Sequence, residues 1–152
     1  MTTHDTYASD AEIEAIGEGF LARTLPKARW THAAHFAATT YLILRRPEID
    51  LERELPDLIR TYNLSVGGEN TDTAGYHETI TQVSIAAARA FLASLPEGAP
   101  LAEAVNRMVA GTLGDKAWLE TYWSRERLFS VKARREWVGP DLAPLPFPVA
   151  GV

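Results

Sequence analysis

The 152-residue sequence predicts an all-α fold: a single helical bundle of about five main helices, short C-terminal helices and an extended proline-rich tail. Three observations carry this expectation. Apolar residues recur at three- and four-residue spacing, cap-forming side chains precede those segments, and no run keeps the two-residue alternation of a half-buried strand.

Ser9 is suited to cap the first helix, and Glu12 three residues later completes a capping box for a segment running to about Arg23. Ile13, Ile16, Phe20 and Leu21 form its apolar stripe, and Thr24-Leu25-Pro26 ends it. Thr31 is a second N-cap, with Trp30 placed to staple the helix start. From His32 to about Arg45 the second helix is apolar nearly all round, which assigns it to the centre of the bundle. A third runs from near Asp50 to about Val66 and ends at Gly67-Gly68, which supplies a residue with positive φ.

The loop at 69–75 is rich in side chains that bond their own backbone. A fourth helix is expected from about Tyr76 to about Ser94, and a fifth from Leu101 to Thr112 with Pro100 in its first turn. Ser124 caps a short helix through Phe129, and another short piece includes Lys132 to Arg135. From Gly139 onward, Pro140, Pro144, Pro146 and Pro148 forbid a helix. The interleaved Leu142, Leu145, Phe147 and Val149 predict that this tail packs along the bundle. Residues 1–8 are expected to be flexible.

Composition sets the class. A hydrophobic fraction of 46% and a charged fraction of 23% suit one globular domain with its own core. There is no cysteine, so disulfides, thiolate metal sites and cysteine nucleophiles are excluded together, and a reducing compartment is implied. The formal net charge of −5 opposes nucleic acid as a partner, because phosphate binding needs a cationic footprint. The first residues lack a signal-peptide pattern, and no apolar stretch approaches the ~18 residues of a membrane span. The expectation is a cytoplasmic protein with a small-molecule ligand, and with neither nucleic acid nor membrane as its partner.

Chemistry concentrates on histidine. His32 and His35 lie three residues apart and share one helix face, whose stripe continues as Thr39 and Leu42. His77 opens the fourth helix, and its stripe continues through Thr81 and Ser84, a polar line for a core helix. If those two helices are neighbours, the three imidazoles converge at one end of the bundle. The partial positive charge of a helix N-terminus keeps such rings neutral, as a metal ligand or a general base requires. The sequence therefore offers His32, His35 and His77 either as ligands of a divalent metal (zinc, nickel or iron) or as acid–base groups. Glu78, Glu69 or Asp72 would supply a carboxylate ligand or a partner behind the ligands. Structural histidines hydrogen-bonded within the core are the competing reading.

Several segments together carry a resemblance. They are Trp30-Thr31-His32-Ala33-Ala34-His35, Gly75-Tyr76-His77-Glu78-Thr79-Ile80-Thr81, Tyr122-Trp123-Ser124-Arg125-Glu126-Arg127-Leu128 and the run from Trp137 to Pro146. With Tyr62-Asn63 and Gly68-Glu69-Asn70-Thr71 between them, they resemble a family of uncharacterised bacterial all-helical proteins over about residues 20 to 146. The resemblance implies a shared fold and a shared site, and no reaction. At the level of fold alone, the histidine bundle is also similar to the DNA-damage-inducible metal-binding helical bundles, although its histidine spacing differs.

The stretch from Tyr122 to Trp137 gathers Arg125, Arg127, Lys132, Arg134 and Arg135 with Trp123, Phe129 and Trp137. Arg134 is the candidate to hold an anionic ligand group, against a plainer reading as part of a solvated, ion-paired face. Tyr76 and Thr81 are the further ligand-binding candidates. Asn63 and Asn70 suit turn and cap geometry. The expected function is that of a small-molecule enzyme of hydrolase or lyase type, with catalytic His32, His35, His77 and Glu78. The alternative is a non-catalytic ligand-binding or protein-interaction domain.

Overall fold

Side-chain caps set the helix starts in the computed structural model, which describes residues 7–152. Ser9 accepts the N–H of Glu12 at the head of α1 (Asp10–Ala22), and Thr31 accepts that of Ala34 at the head of α2 (His32–Arg45). The carboxylate of Glu12 reaches back to the N–H of Ala8 at 2.8 Å, one residue before the cap. The remaining helices are α3 (Leu51–Ser65), α4 (Glu78–Ala93), α5 (Leu101–Ala110), α6 (Arg125–Leu128) and α7 (Val131–Arg135). Tight 3₁₀ turns occupy Lys27–Arg29, Thr112–Gly114 and Lys116–Thr121, and no strand occurs among the described residues.

Two helix bounds need correction. Helix α4 begins two residues later than its periodicity suggests, because His77 is extended (φ −140°) and caps the helix from outside. Helix α5 stops at Ala110, and the chain then continues in the two 3₁₀ turns up to Thr121, which the apolar spacing does not announce. Residues 1–6, expected to be flexible, lie outside the described residues. Tyr7, however, is buried, and its N–H and carbonyl each bond the Asn106 side chain at 2.9 Å.

Helix α2 packs against α1, α4 and α5, which is the central place its all-round apolar surface demands. Gly17 of α1 lets the Tyr41 ring of α2 lie against the helix backbone: a Cβ there would stand 2.1 Å from the ring. Ile13, Phe20, Leu42, Val83, Leu101, Met108 and Trp123 are buried and form the centre of the core. Burial of each large side chain contributes about 1.5–3 kcal/mol of transfer free energy.

The C-terminal tail runs without helix and is tied to the bundle. Trp123 Nε1 donates to the Val138 carbonyl at 3.1 Å, and the Leu142 N–H donates to the Tyr122 carbonyl at 2.8 Å. Leu145 and Phe147 pack against the core, while the Leu142 side chain faces solvent. No helix among the described residues is long and apolar enough to cross a membrane.

Candidate functional site

Helices α2 and α4 are neighbours, and a cavity of about 430 Å³ opens beside them. That volume lies within the ~300–1,000 Å³ range of small-molecule sites. Trp30 before α2 and His32, His35 and Thr39 on it line the cavity, while α4 contributes Ile80, Thr81 and Ser84. Leu55 and Ile59 of α3 form one wall, and the 3₁₀ turn at Lys116–Thr121 forms another with Lys116, Trp118 and Glu120. Leu128 and Phe129 complete the lining. The two polar stripes visible in the sequence thus meet across one space.

Each imidazole of α2 is aimed by a main-chain carbonyl. His35 Nδ1 lies 2.7 Å from the Thr31 carbonyl oxygen, and His32 Nε2 lies 2.7 Å from that of Leu113. A carbonyl oxygen only accepts, so each of those nitrogens carries the hydrogen. In the neutral ring the lone pair is then left on His35 Nε2 and on His32 Nδ1. Trp30 packs on His35 at 4.0 Å between ring centroids; the residues flank the Thr31 cap at the N′ and fourth helical positions, which is the expected staple. Phe36 meets the His32 ring edge-on at 5.5 Å.

His35 exposes surface to the cavity, yet protein crowds the rest of the ring. That crowding lowers its pKa below the ordinary histidine value; the Thr31 carbonyl opposes the shift, and the His32 and Lys116 charges add to it.

His77 is placed differently. Its Nδ1 accepts the Ile80 N–H at 3.2 Å and caps α4, and its Nε2–H donates to the Leu128 carbonyl at 2.8 Å. Both ring nitrogens are committed, and the ring is buried outside the cavity lining. Burial lowers its pKa, the Leu128 bond opposes that, and the nearby Arg134 charge adds to it. His77 is therefore a structural cap, a correction to the expectation that three imidazoles converge.

The other candidates follow. Glu78 accepts from the Tyr76 hydroxyl at 2.5 Å and from Gln82 Nε2 at 3.3 Å, so its carboxylate serves α4 and not the α2 histidines. Burial and the Glu78 carboxylate both push the Tyr76 hydroxyl pKa up, and the Arg60 guanidinium lies 4.3 Å over the Tyr76 ring. Arg134 Nη1 donates to the carbonyls of Gly75 and Tyr76 at 3.0 and 3.1 Å, bracing the loop before α4 and standing outside the cavity lining. Asp72 is held in a two-bond pair with Arg135, at 2.7 and 2.6 Å. Thr81 alone of the predicted ligand-binding residues lines the cavity.

The loop itself is a built turn. Asn70 Oδ1 accepts from Asn63 Nδ2 and from the Tyr76 N–H, and Asn70 Nδ2 donates to the Arg60 carbonyl. Gly75 has φ +83° and sits so close to the Glu69 carbonyl that a Cβ would lie 1.9 Å from it.

These placements bear on the predicted metal triad. With His77 closed on both nitrogens, His32 and His35 remain, and two imidazoles do not complete the expected three-histidine set. Among the described residues, no group of three or more His, Cys, Asp or Glu side chains is arranged to hold a metal ion. No family model, no curated protein and no solved structure matches the chain.

Sequence reasoning missed Lys116, Trp118 and Glu120. They lie in a 3₁₀ turn, whose short period leaves no helical stripe to find.

Proposed function

We propose that this chain is a small-molecule enzyme in which a neutral His35 moves a proton on a largely apolar ligand held in the 430 Å³ cavity. The observation that supports it most is the pair of carbonyl-aimed imidazoles on the cavity wall. An imidazole with one nitrogen donating to a fixed carbonyl is held in one tautomer and orientation, with its other nitrogen ready to accept. His35 Nε2 is the general base. His32 Nδ1 is a second acceptor, and the hydroxyls of Thr39, Thr81 and Ser84 are donors and acceptors for the ligand's polar groups.

The reaction class that fits is proton abstraction or return, as in a lyase or a hydrolase. A positioned general base contributes typically ~10²–10⁴-fold to such a step. A chain free of cysteine suits a reducing compartment, and we assign the activity to the cytoplasm.

The test is a small-molecule screen by thermal shift, followed by NMR of each binder in D₂O with the protein. Binders of the cavity move the His32 and His35 ring resonances. A substrate-like binder also exchanges a proton for deuterium, at a rate that falls ~100-fold or more in His35→Gln. Binders that leave both rings unmoved would refute the site. Binding without exchange would make the domain a ligand-binding module and not an enzyme.

A further inference from the structure

The cavity carries charge at one place. Among its lining residues only Lys116 and Glu120 bear full charges at neutral pH. Glu120 is already matched, because Arg125 Nη1 donates to its carboxylate at 2.9 Å. Lys116 has no ion pair among the described residues, and it stands exposed in the wall. Phe129, Thr31 and His35 are likewise exposed and line the cavity, so these residues with Lys116 border its mouth. Behind them the walls are Trp30, Phe36, Trp118, Leu119 and Leu128. The space is thus an apolar chamber with one unmatched positive charge at its opening.

We infer that the cavity takes a small apolar monocarboxylate, an aryl or alkyl acid whose carboxylate meets Lys116 while its hydrocarbon part enters between Trp30, Phe36 and Trp118. The inference rests on the small-molecule cavity proposed above and names its ligand class. A neutral ligand would leave the exposed Lys116 ammonium to water, and a dianion would carry its second charge to walls whose polar groups, two imidazoles and the hydroxyls of Thr39, Thr81 and Ser84, include no fixed cation. A monocarboxylate satisfies both ends, and the bond from an ammonium to a carboxylate is among the stronger hydrogen bonds available.

The experiment pairs acids with their neutral isosteres: phenylacetate with phenylacetamide, and octanoate with octanamide. Binding is read by calorimetry and by the His32 and His35 ring resonances. It is measured on the wild-type chain, Lys116→Met and Lys116→Arg; Met keeps the apolar stem, and the exposed position tolerates the change.

We expect the acids to bind about tenfold more tightly than the amides to the wild type. In Lys116→Met the preference falls to about twofold or less while amide binding is unchanged, and Lys116→Arg restores it. Amides that bind as tightly as acids, or an acid preference that survives in Lys116→Met, would overturn the charge inference alone. If neither acids nor amides move the imidazole resonances, the cavity reading falls and this inference falls with it.

Discussion

The side-chain amide of Gln82 completes a helix that Pro56 interrupts. Pro56 lies inside α3 and has no N–H to return to the carbonyl of Glu52, four residues back. Gln82 Nε2, from α4, donates to that carbonyl at 2.9 Å. The same nitrogen bonds Glu78, and Arg89 of α4 grips the Glu52 carboxylate with two bonds at 2.8 and 2.9 Å. Helices α3 and α4, which both line the cavity, are thereby tied to each other.

This relationship predicts a coupling between the two positions. Gln82→Met keeps the volume, leaves the Glu52 carbonyl short of a donor, and also removes Gln82 Oε1, a buried acceptor with no partner among the described residues. The two effects oppose, and the net cost is about 1 kcal/mol. In a Pro56→Ala background the helix supplies its own N–H, and the cost of Gln82→Met drops to near zero. Urea unfolding of the four proteins gives the coupling directly. Equal costs in both backgrounds would show that the amide does not serve the interrupted ladder.

What was legible in the sequence is what local spacing encodes. Ser9, Thr31, Ser124 and the apolar stripes placed α1, α2, α3 and α6 close to their observed bounds. The stripes His32–His35–Thr39 and Thr81–Ser84 also pointed to the cavity, because a polar line on an otherwise apolar helix needs something to face. Direction within a turn was not legible. Whether His77 opens α4 or caps it from outside depends on one backbone dihedral, and that angle decides whether its nitrogens are free. Arg134 and Asp72 were likewise invisible as loop braces, since their partners are carbonyls and a charge distant in sequence.

A helix-favouring change should destabilise α1. Replacing an interior helical glycine with alanine gains roughly 1 kcal/mol from propensity alone. At Gly17 the new Cβ meets the Tyr41 ring at 2.1 Å, and overpacking of that kind costs about 1–3 kcal/mol. Gly17→Ala is therefore expected to lower stability by about 1 kcal/mol in thermal or urea unfolding. An increase in stability would show that the Tyr41 ring yields freely.

The two bonds of His77 can be separated by substitution. His77→Asn keeps an acceptor for the Ile80 N–H and loses the bond to Leu128; its expected cost is about 1 kcal/mol. His77→Ala loses both, and should cost about 2 kcal/mol. Equal losses would mean that the cap bond adds nothing to α4. Because Leu128 lines the cavity, both variants should also weaken binding of cavity ligands.

Acid should reach the imidazoles of His35 and His77 before it reaches the carboxylates. The folded-state pKa values of His35 and His77 both lie below the ordinary histidine value, His77 chiefly through burial and His35 chiefly through the protein crowded around its ring. A lowered histidine pKa means that the unfolded chain binds more protons, so stability rises with pH across the window. Above the unfolded value of ~6.5 these rings add no pH dependence, and below it stability falls as the pH drops toward their folded values. Glu18, Glu52 and Asp72 are held below the usual carboxylate range, first by their Tyr41, Arg89 and Arg135 hydrogen bonds respectively, so their contribution is lost at lower pH. The slope between about pH 7 and pH 5 thus isolates the histidines, and His77→Asn should reduce it. Long-range ¹H–¹⁵N spectra at neutral pH should show the proton on Nδ1 of His35 and on Nε2 of both His32 and His77. A His35 ring that titrates well above neutral pH would remove the neutral base from the proposed chemistry, because it would then be mostly protonated at the pH where the base must accept.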